Sequence, residues 1–402
     1  MTYLYLDNNA STPLEDEVMT AMEECYSLYG NPHAGHFLGG LAREAISKAR
    51  ESVLSVFGLY NSMWTCIFTS GATESNNMAI KGILFNEMRA RRNLTRQMNI
   101  VASQVEHSSV DKSLKYMEEL LGTDRVHVDY LPVDEHGIVN LEASNAMIDQ
   151  VDFMTCIHTV AETGAVQPIA EISAWYKSKF PDGIFHCDAS QSVGKLSESA
   201  LFSLGKHVDM ITVAGHKFGA PKYIGALLVR NSVLPKLDPI IHGAGQEFGM
   251  RGGTENVASI VGLGRACELA SIYAKHSDNM AALLWEALRE EFDSRGNISY
   301  RLNSTAPVRS PYTVNFSVAG LNGPALVSTL GNDNHYGIKI CFSAGSACHS
   351  RGGPTPSKVL AAMGLDPKFS TSGIRLSIGK YARIEDIQRA GKLIGRHICE
   401  TI

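Results

Sequence analysis

Six residue settings in this chain could do chemistry together. Lys217 follows the apolar run 208–213 and sits in Gly215-His216-Lys217-Phe218-Gly219, where a buried strand would end. An amine placed there could bond a carbonyl cofactor as a Schiff base, which would point to amino-acid substrates. The alternative is a surface lysine in a glycine-containing turn. Ser70-Gly71-Ala72-Thr73 ends a β-rich run and opens a helical one, so small residues and free N–H groups could cradle a phosphate there. An ordinary helix cap fits the same residues. Asp188 closes the run 184–187, and a buried aspartate is costly unless paired, for example with a pyridinium nitrogen. Gln191 could then bond a phenolic oxygen beside it, or Asp188 could be a helix N-cap.

Three further settings complete the inventory. His107, in Glu106-His107-Ser108-Ser109, could lie against a flat ring or shuttle a proton, or be a satisfied core histidine. Arg375 stands in the apolar run 373–378, where its fork could clasp a carboxylate or form a structural ion pair. Cys348 lies in the glycine-bearing segment 344–354 beside His349 and Arg351, a setting that favours a reactive thiolate. An imine-forming lysine, a ring-nitrogen partner, a phosphate cradle, a stacking histidine, a carboxylate clamp and a thiol together match pyridoxal 5'-phosphate chemistry on an amino acid.

The elements that must position these residues are legible as alternation. Strand-like runs at 64–69, 99–103, 126–131, 153–158, 184–187, 208–213 and 224–229 are separated by helix-like segments such as 42–56, 72–84 and 169–180. The alternation predicts an α/β fold, with a mostly parallel sheet covered on both faces. Beyond about residue 260 the pattern changes to a long helical stretch, 260–292, followed by short strands at 313–318 and 374–378. The division expected is a large cofactor-binding domain over 16–259, and a smaller α+β domain built from 1–15 and 260–402.

Composition narrows the class further. With 402 residues, 44% hydrophobic and 19% charged, the chain is ordinary for a globular protein of two domains. A net charge of -5 gives no reason to expect nucleic acid or an anionic membrane as partner. No apolar stretch reaches transmembrane length and no signal-like segment opens the sequence, so a cytoplasmic location is the expectation. The eight cysteines show no metal-binding spacing, and no metal site is expected.

At these residues the chain resembles the class V branch of fold-type-I pyridoxal-phosphate enzymes, and more narrowly the cysteine desulfurases and selenocysteine lyases. The likeness runs from Leu6-Asp7-Asn8-Asn9-Ala10 to about Arg383. It passes through Thr69-Ser70-Gly71-Ala72-Thr73-Glu74-Ser75-Asn76-Asn77, Asp188-Ala189-Ser190-Gln191-Ser192-Val193-Gly194-Lys195, Gly215-His216-Lys217, Gly253-Thr254-Glu255-Asn256 and Ser346-Ala347-Cys348. The resemblance implies a large domain with a mostly parallel seven-stranded sheet and a smaller α+β domain. It implies Lys217 as the cofactor's covalent anchor, Asp188 on the pyridinium, His107 on the ring and Gln191 on the phenolic oxygen. Ala72, Thr73 and His216 would hold the phosphate, with Thr254 contributed from the neighbouring subunit of a homodimer. Asn9 and Arg375 would bind substrate, and Cys348 would take the sulfur or selenium.

That implied activity removes sulfur from L-cysteine, or selenium from L-selenocysteine, leaving L-alanine, with a Cys348 persulfide and a possible sulfur-acceptor protein. Another class V C–S lyase and a catalytically weakened scaffold are the alternatives. Three departures bear on the choice. The segment His158-Thr159-Val160-Ala161-Glu162-Thr163-Gly164 lacks the asparagine pair usual before the glutamate. Ala214 replaces a common phosphate-binding serine. The stretches around Cys348 and Thr254 look closer to selenocysteine lyases.

Overall fold

The computed structural model describes residues 3–90, 97–145, 150–273, 279–333, 336–345 and 355–402. Seven strands form its central sheet. From one edge to the other they are Trp64–Thr69, Gly225–Arg230, Met210–Ala214, Ile184–Asp188, Phe153–Ile157, Met98–Ser103 and Val126–Leu131. Every pairing is parallel except the two made by Gly225–Arg230, which runs antiparallel to both neighbours. The expected mostly parallel sheet is therefore present.

Its inner strands read as continuous apolar runs because both faces are covered. Met154, Cys156, Phe185, Cys187, Ile211 and Val213 point into one core, with the helices Asp16–Cys25, Phe37–Ser55, Ile169–Lys179 and Glu198–His207. Phe153, Ile184, Met210 and Leu227 point into the other, against Ala72–Ala90 and Ser108–Leu121. The period-2 alternation is intact, although hydropathy alone does not display it.

The second sheet is antiparallel, in the order Ser343–Ala344, Gly373–Ser377, Thr313–Val318, Tyr300–Leu302. Helices Met280–Arg295 and Ile384–Thr401 bury Leu284, Leu288, Ile387 and Ile394 in its core. The strand Tyr3–Tyr5 pairs in parallel with Lys339–Cys341, and Leu6 joins the same core.

The single helix expected over 260–292 is instead two. Asn279, with φ -75° and ψ 66°, is not helical and caps a new helix, Met280–Arg295, its side chain accepting from the Ala282 N–H. The first of the two carries Ile260, Leu263, Ala266 and Cys267 into the core under the seven-stranded sheet. A boundary at 259/260 would thus cut a helix away from the core it completes.

Candidate active site

The carboxyl ends of Trp64–Thr69, Met98–Ser103, Phe153–Ile157, Ile184–Asp188 and Met210–Ala214 share one edge of the sheet, where ligands collect in open α/β folds. Ser70–Thr73, His107, Asp188 and Lys217 all leave from that edge.

Lys217 closes a short 3-10 turn, Gly215–Lys217, directly after its strand. Its Nζ donates to the backbone oxygens of Asn9 at 2.7 Å and Ala10 at 3.0 Å. Gly215 is required in that turn, since a Cβ there would lie 2.9 Å from the Ala220 Cβ and 3.0 Å from the Ile224 oxygen. Beside it, the His216 imidazole is pushed down to about 4 by burial, reinforced by the charges of Lys217, Lys222 and Lys195. It is neutral at physiological pH, with Nδ1 at 3.4 Å from Ser11 Oγ.

Asp188 ends its strand 2% exposed. Oδ1 accepts from the Ser190 N–H at 2.9 Å and Oδ2 from Asn76 Nδ2 at 2.8 Å. With two donors among the described residues, it remains an acceptor with lone pairs to spare. Asn76 Nδ2 also donates to Ser109 Oγ at 2.9 Å, and Ser109 Oγ lies 2.8 Å from His107 Nδ1. Asp188 and His107 are thereby joined through Asn76 and Ser109, two buried residues that sequence reasoning had not assigned. Their signal was available: an asparagine buried inside an apolar helix face requires partners.

His107 is the N-cap of Ser108–Leu121, and its Nδ1 accepts from the Ser109 N–H at 3.1 Å. That bond places the proton of the neutral ring on Nε2. Burial pushes the ring below its usual value; Asp188 opposes this and Lys217 adds to it.

The phosphate-cradle expectation falls on the first turn of Ala72–Ala90. Ala72, Thr73 and Glu74 hold N–H groups there with no acceptor earlier in the helix. Gly71 has φ 143°, and a Cβ on Gly225 would stand 2.7 Å from the Gly71 Cα, so two glycines let the loop sit on the sheet. Glu74 accepts from the Ser70 N–H at 2.7 Å and from Arg251 Nε at 3.0 Å. Burial raises the Glu74 carboxyl, but these donors hold it below its usual value. The Arg251 bond ties this turn to the loop bearing Thr254, which is exposed.

Gln191 is buried, with Nε2 donating to the Asn9 oxygen at 2.8 Å and Oε1 accepting from Lys195 Nζ. Asn9 departs from expectation. Its Oδ1 accepts from Lys195 at 2.8 Å, and its Nδ2 donates to the Ala161 oxygen and to Thr313 Oγ1. Both amide hydrogens are engaged within the protein, so the side chain braces the site rather than facing substrate. The Ala161 bond also shows what occupies the segment lacking asparagines, where Val160 is buried in an apolar cluster.

Arg375 lies opposite Ser343 in the antiparallel sheet. Nη2 donates to Asp7 Oδ1 at 3.0 Å and to Ser343 Oγ at 3.2 Å, while its buried Nε–H has no partner among the described residues. An unsatisfied guanidinium edge is what a carboxylate would complete. Ser343–Ala344 and Gly345, whose N–H bonds the Gly373 oxygen, lead from this arginine into the segment bearing Cys348. Cys348 itself lies outside the described residues. The seven described cysteines form no disulfide with one another, and burial pushes every one of their thiols above its ordinary value.

This fold and edge define the class: the Aminotransferase class-V family matches residues 4–390, and the chain belongs to it. Within that family it belongs with the cysteine desulfurases. It is 37% identical to a cysteine desulfurase of Trichormus azollae over 97% of this chain and 91% of that protein. It is 34% identical to the cysteine desulfurase of Mus musculus over 98% of this chain and 81% of that one. A solved NifS-like protein superposes with a TM-score of 0.85 at 31% identity, covering both chains fully.

Members of this family depend on pyridoxal 5'-phosphate. The residues present fit that group. A buried carboxylate with two N–H donors suits a protonated ring nitrogen, the glycine pair clears room over a helix N-terminus, and Lys217 supplies the amine.

Proposed function

We propose that this chain removes sulfur from L-cysteine to give L-alanine, with the sulfur retained on Cys348. The observation carrying this reading is the convergence of Lys217, Asp188 and the Asn76–Ser109–His107 chain on one sheet edge. It is supported by a carboxylate-ready Arg375 from which the Cys348 segment departs. Lys217 would hold the cofactor aldehyde, Asp188 its ring nitrogen, Gln191 its phenolic oxygen, and Ala72, Thr73 and His216 its phosphate. His107 would lie on the ring. Bound there, the cofactor supplies an electron sink for the substrate α-carbon.

Arg375 binds the substrate carboxylate and fixes its orientation. Lys217 Nζ moves the α-proton, steered by the Asn9 and Ala10 oxygens. The Cys348 thiolate attacks the substrate sulfur: an S–S bond forms, the C–S bond breaks, and the carbon fragment takes a proton to become alanine. The electron pair of the broken C–S bond stays with the β-carbon, which is reduced to a methyl group as the sulfur is oxidised to persulfide level, so no outside oxidant is needed. Lys217, carrying the α-proton it has taken, is the acid that can deliver that proton, while neutral His107 offers its Nε2–H as a hydrogen-bond donor. A sulfur-acceptor protein would relieve Cys348 of its sulfur.

Exposed Thr254 fits a homodimer in which it completes the partner's phosphate site. Of the expected division into 16–259, and 1–15 with 260–402, this reading keeps both units but assigns the helix Val257–Tyr273 to the larger one, whose core it joins. No helix among the described residues is long and apolar enough to cross a membrane; a cytoplasmic location accords with that reading. Purified protein given cysteine should yield alanine and sulfide in the presence of a thiol reductant. Failure of Cys348→Ser to reduce that yield would sink the persulfide route.

A further inference from the structure

Lys195 has no place in the scheme so far, yet it is buried to 8% exposure beside the site. Its Nζ donates to Asn9 Oδ1 at 2.8 Å and to Gln191 Oε1, and among the described residues it has no ion-pair partner. A buried lysine bonded only to two amide oxygens is costly unless it serves something. Burial lowers its pKa well below the usual value, with Lys217 and Arg375 adding to the effect.

The two edges of a glutamine amide are nearly the same shape, so only partners decide which faces where. Lys195 Nζ donates to both Asn9 Oδ1 and Gln191 Oε1, which the two hydrogens of even a neutral amine allow, and this pairing takes the oxygen of Gln191. The nitrogen edge must then face away from it, where one hydrogen meets the Asn9 oxygen at 2.8 Å. That same oxygen takes Lys217 Nζ at 2.7 Å, so the fixed N–H edge lies next to the reactive amine. Nε2 has a second hydrogen, free to donate.

We propose that Lys195 is a positioning residue that locks the Gln191 amide with its N–H edge toward Lys217, so that Gln191 can only donate at that place. This rests on the proposed role of Gln191 toward the cofactor's phenolic oxygen. A donor at that oxygen competes with the protonated lysine–cofactor nitrogen for it, and so lowers the pH at which that nitrogen gives up its proton.

The test is a pH titration of the visible absorption of the cofactor-loaded protein, independent of turnover. Lys195→Met should move the midpoint upward by about 0.4 to 1 pH unit, the range of one hydrogen bond. Gln191→Leu should move it in the same direction, and Lys195→Met should add almost nothing in the Gln191→Leu background. Full additivity in the double variant would mean that Lys195 acts by charge or packing alone, and would overturn the proposal. An unchanged midpoint in Lys195→Met would do the same. Should that variant not fold, Lys195→Arg, whose guanidinium offers only hydrogens, carries the test. A native midpoint supports the lock, and one matching Gln191→Leu contradicts it. Absence of a visible band in the unaltered protein would instead defeat the cofactor reading itself.

Discussion

Lys217 Nζ donates to the backbone oxygen of Asn9 at 2.7 Å, so a segment next to the first strand of the chain holds the amine at the end of a strand two hundred residues later. The backbone oxygen cannot be removed by substitution, but the side chain that fixes it can. Asn9→Ala would strip the acceptor from Lys195 and the donor from the Ala161 oxygen and Thr313. Leaving buried polar groups unpaired costs about 1–3 kcal/mol. Denaturant unfolding should show a loss in that range, with Asn9→Asp recovering part of it through the Lys195 contact.

Asp188 should matter more to chemistry than to folding. Asp188→Asn keeps the Ser190 contact but removes the charge facing the ring nitrogen, and turnover should fall by about 10²-fold or more. Asn76→Ala should give a smaller loss, because Asp188 keeps its charge but loses a donor and His107 loses its link. Steady-state alanine formation orders the two. Equal losses would contradict the indirect role of Asn76.

Glu106 gives a pH signature. Its Oε1 accepts from Ser103 Oγ at 2.6 Å and from the Ile157 N–H at 2.7 Å, yet burial raises the carboxyl from 4.5 to about 7. The folded state thus holds this proton more tightly than the unfolded chain. The stability it contributes is complete below about 4.5 and is lost as pH rises through 7. The span corresponds to roughly 3 kcal/mol as an upper figure. Glu106→Gln should therefore gain stability relative to the unaltered protein between pH 5 and 8. His158, pushed down to about 4 by burial, works in the opposite sense below pH 6.5 and is common to both proteins, so it cancels in the difference.

The glycine pair under the phosphate turn can be tested sterically. A Cβ on Gly225 would stand 2.6 Å from the Val213 oxygen and 2.7 Å from the Gly71 Cα, both backbone atoms that cannot rotate away. Gly225→Ala should lower cofactor affinity at least tenfold, since the turn must shift off the sheet. Equilibrium dialysis against pyridoxal phosphate measures it.

Much of this was legible in the sequence. The strands at 64–69, 126–131 and 313–318 fall where composition places them, since each is a short β-rich run bounded by turn residues. Lys217, Asp188 and His107 could be singled out because polar residues at the ends of buried runs need a reason. The interruption at Asn279 was not legible, because the apolar spacing on both sides continues one helical pattern. Asn9 was misread for a related reason: a motif shows which residue is present, but only the folded chain shows that Lys195, Ala161 and Thr313 have already taken its amide. The Asn76–Ser109 link joins residues 33 apart in sequence, and Lys195 meets Asn9 across 186. Neither is written in local spacing.

The most direct test of the account is mass analysis of the Cys348 peptide after cofactor-loaded protein meets L-cysteine without reductant. We predict a gain of one sulfur atom on Cys348, matched by alanine released one for one, with both lost in Lys217→Ala. Alanine formed steadily while Cys348 stays unmodified, or formed undiminished by Cys348→Ser, would contradict it.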